Sequence, residues 1–457
     1  MEGQEKKLVF LVCMVLAFSV LNGTMFNVAI PDIAKSFDLL PSQVSWVLTA
    51  YIVVFAVGSL LYGKLADIYS IRTIFTFGIA LFSTGAFIGF ISINFEMLLV
   101  ARIIQALGGA TIPALAFLIP IRFLPHIKGK VFGMISSTVA FASGVGPIFG
   151  GIIGGMLNWR FMFLLAVSSA ITIPLFLKWL PKEEKKQGKI DYLGALLVGL
   201  FIVNLLLYIT SFNVYFLLLF VLFFSLFIWR TKKVEQPFID PLLFKNQNYL
   251  MTILTSFLST AVLFGLIFLM PIMLRDVYHL STIGIGFVLF PGAFLSGMVG
   301  QIIGSIIDRR GGIPVLKTAL VLISSGLFLL STFAGSFPWL LAICLMVAYV
   351  GFPLMQSSTA DLLSDFLESH QQGVGLGLFN LLNFTAGALS STIIGKILDQ
   401  QTTSVHLNLF NSHEQSFIYS NVLIGLVMIA LIAFIFFSYS FTKKKRHFPS
   451  NEIVREQ

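Results

Sequence analysis

Charge is scarce in this sequence. Asp, Glu, Lys and Arg make up 11% of its 457 residues, against 57% hydrophobic residues and a mean hydropathy of +0.94. Soluble domains carry about 25% charged residues, so a freely soluble globular chain is excluded. Cysteine is nearly absent as well. Cys13 and Cys344 stand alone inside apolar runs, which offers neither a disulfide framework nor a metal site. The histidines, His126, His279, His370, His406, His413 and His447, fall in loops, tails or near span ends, and none has zinc-site spacing with cysteines or carboxylates. No cofactor and no metal are expected. A phosphate-cradling Gly-x-x-x-x-Gly-Lys-Ser/Thr loop is missing, which argues against direct ATP coupling. The spans also lack a nucleophile–base pair, and the loops are too short for a catalytic or signalling domain, so an enzyme is not expected.

Long apolar runs are what the chain has in abundance. About 20 helical residues cross a hydrocarbon core of roughly 30 Å, and such runs recur from Leu8 to Phe441. They are continuous blocks rather than short alternating segments, which selects helices over a β-barrel. Fourteen spans are predicted, at about 8–30, 44–63, 73–93, 97–118, 131–155, 161–180, 190–210, 213–230, 249–273, 282–306, 314–334, 338–360, 373–398 and 417–441. The first is too long for a cleaved signal, and Asn27, Pro31 and Asp32 follow where small residues would mark a cleavage site.

Basic residues that flank spans stay on the cytoplasmic side. With both termini inside, that side collects Lys6, Lys7, Lys64, Arg72, Arg122, Lys128, Lys130, the Lys178–Lys189 cluster, Arg230, Lys232, Lys233, Lys245, Arg309, Arg310, Lys317 and the tail from Lys443 to Arg446. The opposite side keeps only Lys35, Arg160, Arg275 and Lys396. This asymmetry accounts for the net charge of +9 without a nucleic-acid partner. The expected location is the cell membrane.

A repeat divides the chain. Gly63-Lys-Leu-Ala-Asp67 with Arg72 follows the second span, and Gly304-Ser-Ile-Ile-Asp308 with Arg310 follows the tenth. Glycine allows a tight turn, the carboxylate suits a helix N-terminus, and the arginine can pair with either a carboxylate or a helix C-terminus. The copies lie eight spans apart rather than six, so spans seven and eight read as an insert. The expected organisation is a six-helix bundle over 1–182, a two-helix insert over 183–247, a second six-helix bundle over 248–442 and a basic cytoplasmic tail over 443–457.

These turns, together with NVAIPDIA (Asn27–Ala34), ARIIQALGGA (Ala101–Ala110), GVGPIFGG (Gly144–Gly151), WRFMF (Trp159–Phe163) and KIDYLGALL (Lys189–Leu197), give the chain a resemblance to the major facilitator superfamily. In particular, it resembles the fourteen-helix drug:proton antiporters, the multidrug and tetracycline exporters of Gram-positive bacteria. The resemblance implies two rocking six-helix bundles plus two inserted helices. It also marks the fifth-span glycines as an exporter signature and Arg102 as a proton-coupling residue.

Gly146, Gly150 and Gly154 recur every four residues, with Pro147, Gly151 and Gly155 one position on and Gly144 before them. Such a broad small-residue face lets helices touch backbone to backbone, and Pro147 favours a kink. Ordinary packing is one reading; a hinge contact between the halves is the other.

Ionisable groups inside spans are candidate functional sites. Arg102, with Gln105 one turn on, is the clearest, snorkelling being its alternative. No acid falls plainly at mid-membrane. Asp32 and Asp361 are candidate proton carriers, and Asp32 is favoured if it faces the cavity. Many relatives carry Asp where this chain has Asn22, and an amide cannot titrate. Asn22, Asn27, Gln301, Gln356, Asn380 and Asn383 are candidate pocket residues, with interhelical hydrogen bonding as the alternative. The expected function is proton-coupled efflux of hydrophobic or cationic drugs by a monomer in the lipid bilayer, the proton being the coupling ion. A tetracycline exporter and an exporter of an endogenous lipid or metabolite are the alternatives within that class.

Overall fold

The computed structural model describes residues 3–116, 118–124, 128–181, 183, 191–235, 237–239, 241–367, 372–400 and 405–442. Apolar runs in lipid must satisfy every backbone group internally, and the described residues do so as helices with no strand among them. The first half holds α1 (Gly3–Phe37), α2 (Pro41–Ile68), α3 (Ile71–Phe90), α4 (Phe95–Gly109, continued by Thr111–Ala116 and Leu118–Phe123), α5 (Lys128–Met156) and α6, a broken helix over Trp159–Trp179. Next come α7 (Tyr192–Ser211) and α8 (Val214–Lys233), then α9 (Gln247–Asp276), α10 (Thr282–Arg310), α11 (Gly312–Phe333), α12 (Pro338–Phe366), α13 (Gln372–Leu398) and α14 (Phe417–Thr442). Thirteen of these are long and apolar enough to cross a bilayer. The remaining one, α5, has 29 residues and an apolar stretch over Phe141–Met156.

Polar caps set several helix starts. The side chains of Asn94, Asn213 and Ser281 accept from Met97 N, Tyr215 N and Gly284 N, filling donors that the first turn leaves open. Gly311, at φ 77°, makes the one-residue turn from α10 to α11, a conformation that a side chain would strain. The helices overrun the predicted spans. α1 extends to Phe37 rather than stopping near residue 30, and Arg275 and Asp276 belong to the last turn of α9.

Packing is pairwise. In the first half α3 lies on α4 and α1 on α5; in the second, α11 lies on α12 and α14, α10 on α12, and α9 on α13 and α14. The halves meet chiefly along two seams, α5 with α10 and α2 with α13. Each seam joins the second helix of one half to the fifth helix of the other, as a repeated unit related by a pseudo-twofold axis would dictate.

The inserted pair is placed asymmetrically. α7 leans on both α2 and α13, so it covers one seam, while α8 packs on α7 and buries only Phe227. Trp46 Nε1 of α2 donates to Thr210 Oγ1 of α7 at 3.3 Å. Asp191 caps α7 through Gly194 N and pairs with Arg230 of α8 at 3.1 Å, tying the two inserted helices together.

Candidate functional site

Arg102 lies in α4 with 1% of its surface exposed, which rules out snorkelling. Its Nε donates to Val47 O of α2 at 3.2 Å, and Nη1 donates to Gln105 Oε1 at 2.7 Å and to Asn22 Oδ1 of α1 at 3.3 Å. The guanidinium sits 4.6 Å from the Phe26 ring centroid and 4.2 Å from that of Tyr51, so aromatic rings supply part of the missing hydration. Among the described residues no carboxylate pairs with it. A buried charge without a counter-ion is costly, and three neutral acceptors and two rings offset only part of that cost. Sequence pattern paired Arg102 with Gln105 and singled out Asn22 apart from them; the fold brings the three together and adds Tyr51.

From this cluster an aromatic path crosses to the second half. Tyr51 stacks on Phe55 at 5.7 Å, Phe55 meets Phe384 of α13 edge-on at 5.2 Å, and Phe384 meets Phe264 of α9 at 6.4 Å. One residue from Phe384, the Asn383 Oδ1 accepts from Ser256 of α9 at 3.0 Å. Asn383 is buried, whereas Asn380 is exposed, so these two candidate pocket residues have different surroundings. Asn27 and Gln356 are half-buried.

The glycines of α5 divide into two faces instead of one. A Cβ on Gly150 would lie 2.7 Å from Met25 O, and Gly146 faces Thr24, so these two hold α1 within the same half. Gly144, Gly151 and Gly155 face the other half, where a Cβ would lie 2.9 Å from Phe294 Cα, 3.0 Å from Thr282 O and 2.6 Å from Ile283 Cγ1. Pro147 contributes its carbonyl, 2.6 Å from a Cβ on Gly286 of α10, and Gly154 lies between Met162 and Thr282.

Asp32 does not reach the Arg102 cluster. It stands at the α1–α2 end of the molecule, where its Oδ1 accepts from Arg275 Nη2 at 2.9 Å and its Oδ2 accepts from the Thr282 hydroxyl. Arg275 also donates to Thr282 Oγ1 at 2.8 Å. The pair joins α1 to α9 across the halves with side-chain exposures of 22% and 29%, and it borders a cavity of about 710 Å³ that Lys35, Asp276, His279 and Tyr419 help to line. Arg275 and Thr282 were missed from sequence because each looks like an ordinary helix-end residue. A second bond at this end runs from Ser42 N of α2 to Oδ1 of Asp399, the residue after α13, at 3.0 Å.

The repeated turns lie at the opposite end. Gly63 and Arg72 are half-buried and Arg310 is exposed, while Gly304 and the side chains of Asp67, Gln301 and Asp308 lie outside the described residues. Asp361 is half-buried, close to Gly312. An unforeseen link holds the first half there. Glu183, beyond α6, accepts from Ile71 N at 2.9 Å and pairs with Arg122 at 3.4 Å.

Membrane-length apolar helices in two halves joined along two seams describe a multi-pass membrane protein, and its family gives the class, a transporter. The chain belongs to the Major Facilitator Superfamily, whose family model matches residues 12–391. It is 26% identical over 448 residues to the riboflavin transporter RibZ of Clostridioides difficile (strain 630), covering 95% of this chain and 98% of that one. It is 28% identical over 392 residues to Multidrug resistance protein 3 of Bacillus subtilis (strain 168), covering 82% and 71%. Among solved structures, the nucleoside transporter NupG superposes with a TM-score of 0.66 at 13% identity, covering 96% and 100%. A D-xylose-proton symporter also gives 0.66 at 13% identity, covering 95% and 97%. At these identities the structures speak for the fold alone.

Proposed function

We propose that this protein is a proton-coupled exporter of amphipathic small molecules, of the fourteen-helix antiporter type, with both termini and the basic tail in the cytoplasm. The seam between α5 and α10 carries the reading. Gly144, Gly151 and Gly155 bring two backbones of different halves into contact, a surface on which rigid bundles can rock with little side-chain rearrangement. The kinship with Multidrug resistance protein 3 supports drugs as cargo, and that with RibZ supports a riboflavin-like metabolite. In this reading the α1–α2 end faces outward. Asp32 carries the proton, its protonation releasing Arg275 and parting the halves at that end, while Arg102 with Gln105 assists the coupling. Asp361 and the repeated turns act at the inner end. The 1–182 and 248–442 bundles move against each other as a monomer, and no cofactor takes part.

The test is proton movement in proteoliposomes with a lumenal pH dye and an imposed gradient, adding ethidium, norfloxacin, tetracycline and riboflavin in turn. Cargo-triggered collapse of the gradient, lost in Arg102→Ala and Asp32→Asn, is expected. Undiminished coupling in Asp32→Asn would remove Asp32 from the proton path.

A further inference from the structure

We infer that the Arg102 cluster selects cargo by charge, binding planar aromatic molecules that present carboxylate or carbonyl oxygens and rejecting organic cations. The inference rests on the transport reading above and narrows its cargo.

Hydrogen-bond direction carries it. Arginine has donors only, so the oxygens of Asn22 and Gln105 must face the guanidinium, as they do at 3.3 and 2.7 Å. Their amide nitrogens are thereby turned away from Arg102, and both Asn22 Nδ2 and Gln105 Nε2 are buried without a hydrogen-bond partner. Buried donors of this kind are rare because each forfeits its hydration without compensation. Across the aromatic path, Asn383 Nδ2 is also buried and unpartnered. Among the described residues this region therefore holds three unpartnered amide donors and one cation without a carboxylate, and this set calls for acceptors.

The rings supply the second half of the recognition. From Tyr51, which lies against Arg102, ring contacts run through Phe55 of α2 to Phe384 of α13, the neighbour of Asn383, and the α2–α13 contact they cross is one of the two seams that must part during alternating access. Parting that seam would let a flat ring replace the Phe55–Phe384 edge contact, with its oxygens turned toward Asn22, Gln105 and Arg102. A cation in the same place meets an unneutralised guanidinium in a low-dielectric interior, where like charges repel strongly.

The test uses binding to purified protein in nanodiscs with no pH gradient, so a failure of proton coupling leaves the result unaffected. Fluorescence polarisation of 5-carboxyfluorescein, an anion built on a flat xanthene, and of ethidium, a cation built on a flat phenanthridinium, reads affinity directly. The wild type should bind carboxyfluorescein at least tenfold more tightly than ethidium. Asn22→Asp, nearly isosteric, places a carboxylate beside Arg102 and should reverse that order, while Arg102→Gln should weaken carboxyfluorescein at least tenfold. Thermal unfolding of each variant identifies any that fail to fold, and Asn22→Asp should unfold at a higher temperature than wild type because it supplies the missing counter-ion. Tighter binding of ethidium by the wild type, absence of carboxyfluorescein binding, or an Asn22→Asp protein with unchanged preference would each overturn the inference. Gradient collapse with ethidium but no carboxyfluorescein binding would overturn it while leaving proton-coupled export standing.

Discussion

At the scale of single residues, glycine illustrates how one residue type serves opposite ends. Gly150 and Gly23 both sit in membrane helices, yet a Cβ on Gly150 would lie 2.7 Å from Met25 O, whereas nothing lies within 4 Å of one on Gly23. Gly150→Ala must push α5 off α1 and should destabilise the protein by about 1–3 kcal/mol, the usual range for overpacking. Gly23→Ala should be neutral or stabilising by up to about 1 kcal/mol through helix propensity alone. Thermal unfolding of the two variants side by side measures the difference. Asn22 was visible in sequence as a polar residue within an apolar run. Its role as an acceptor for Arg102 was not, because the two are 80 positions apart and no local signal of contact spans that distance.

At the scale of elements, the inserted pair has its own fastening. The Asp191 side chain is 1% exposed and relies on Gly194 N and on Arg230, which is itself 33% exposed. Removing Arg230 leaves a buried carboxylate with one lost charged partner. Arg230→Met should therefore cost about 2 kcal/mol, reduced from the fully buried case by the exposure of Arg230. Asp191→Asn in the same chain should recover part of that loss. Limited proteolysis of the loop between α8 and α9 would report the loosening, and a digestion rate equal to wild type would show that α7 and α8 are held by apolar packing alone. The existence of this helix pair follows from hydropathy and the spacing of the repeated turns. Its place against α2 and α13 does not, since lipid-facing and seam-facing surfaces are equally apolar.

At the scale of the whole molecule, transport by rocking halves demands that both seams open and close. Ser42 and Gly395 meet across α2 and α13, where a Cβ on Gly395 would lie 3.0 Å from Ser42 Cα, and Gly155 meets Ile283 across α5 and α10. Cysteine pairs at 155 and 283, or at 42 and 395, in a background lacking Cys13 and Cys344, should oxidise readily and arrest transport. Reduction should restore it. Flux that persists in a fully cross-linked protein would mean that the halves need not part at that end.

The sequence by itself determined that the chain crosses a membrane many times, roughly where each helix begins, and that Arg102 is out of place in lipid. Each of these follows from hydropathy, helix periodicity, capping residues or charge, which act over a few neighbouring positions. Only the tertiary structure decided that α5 presents glycines to two partners, that Asp32 reaches Arg275 rather than Arg102, and that the insert covers one seam and not the other. Those outcomes depend on which helix surfaces meet. In a bilayer, where nearly every surface is apolar, shape and a few buried polar bonds settle that choice, and neither is written in local pattern.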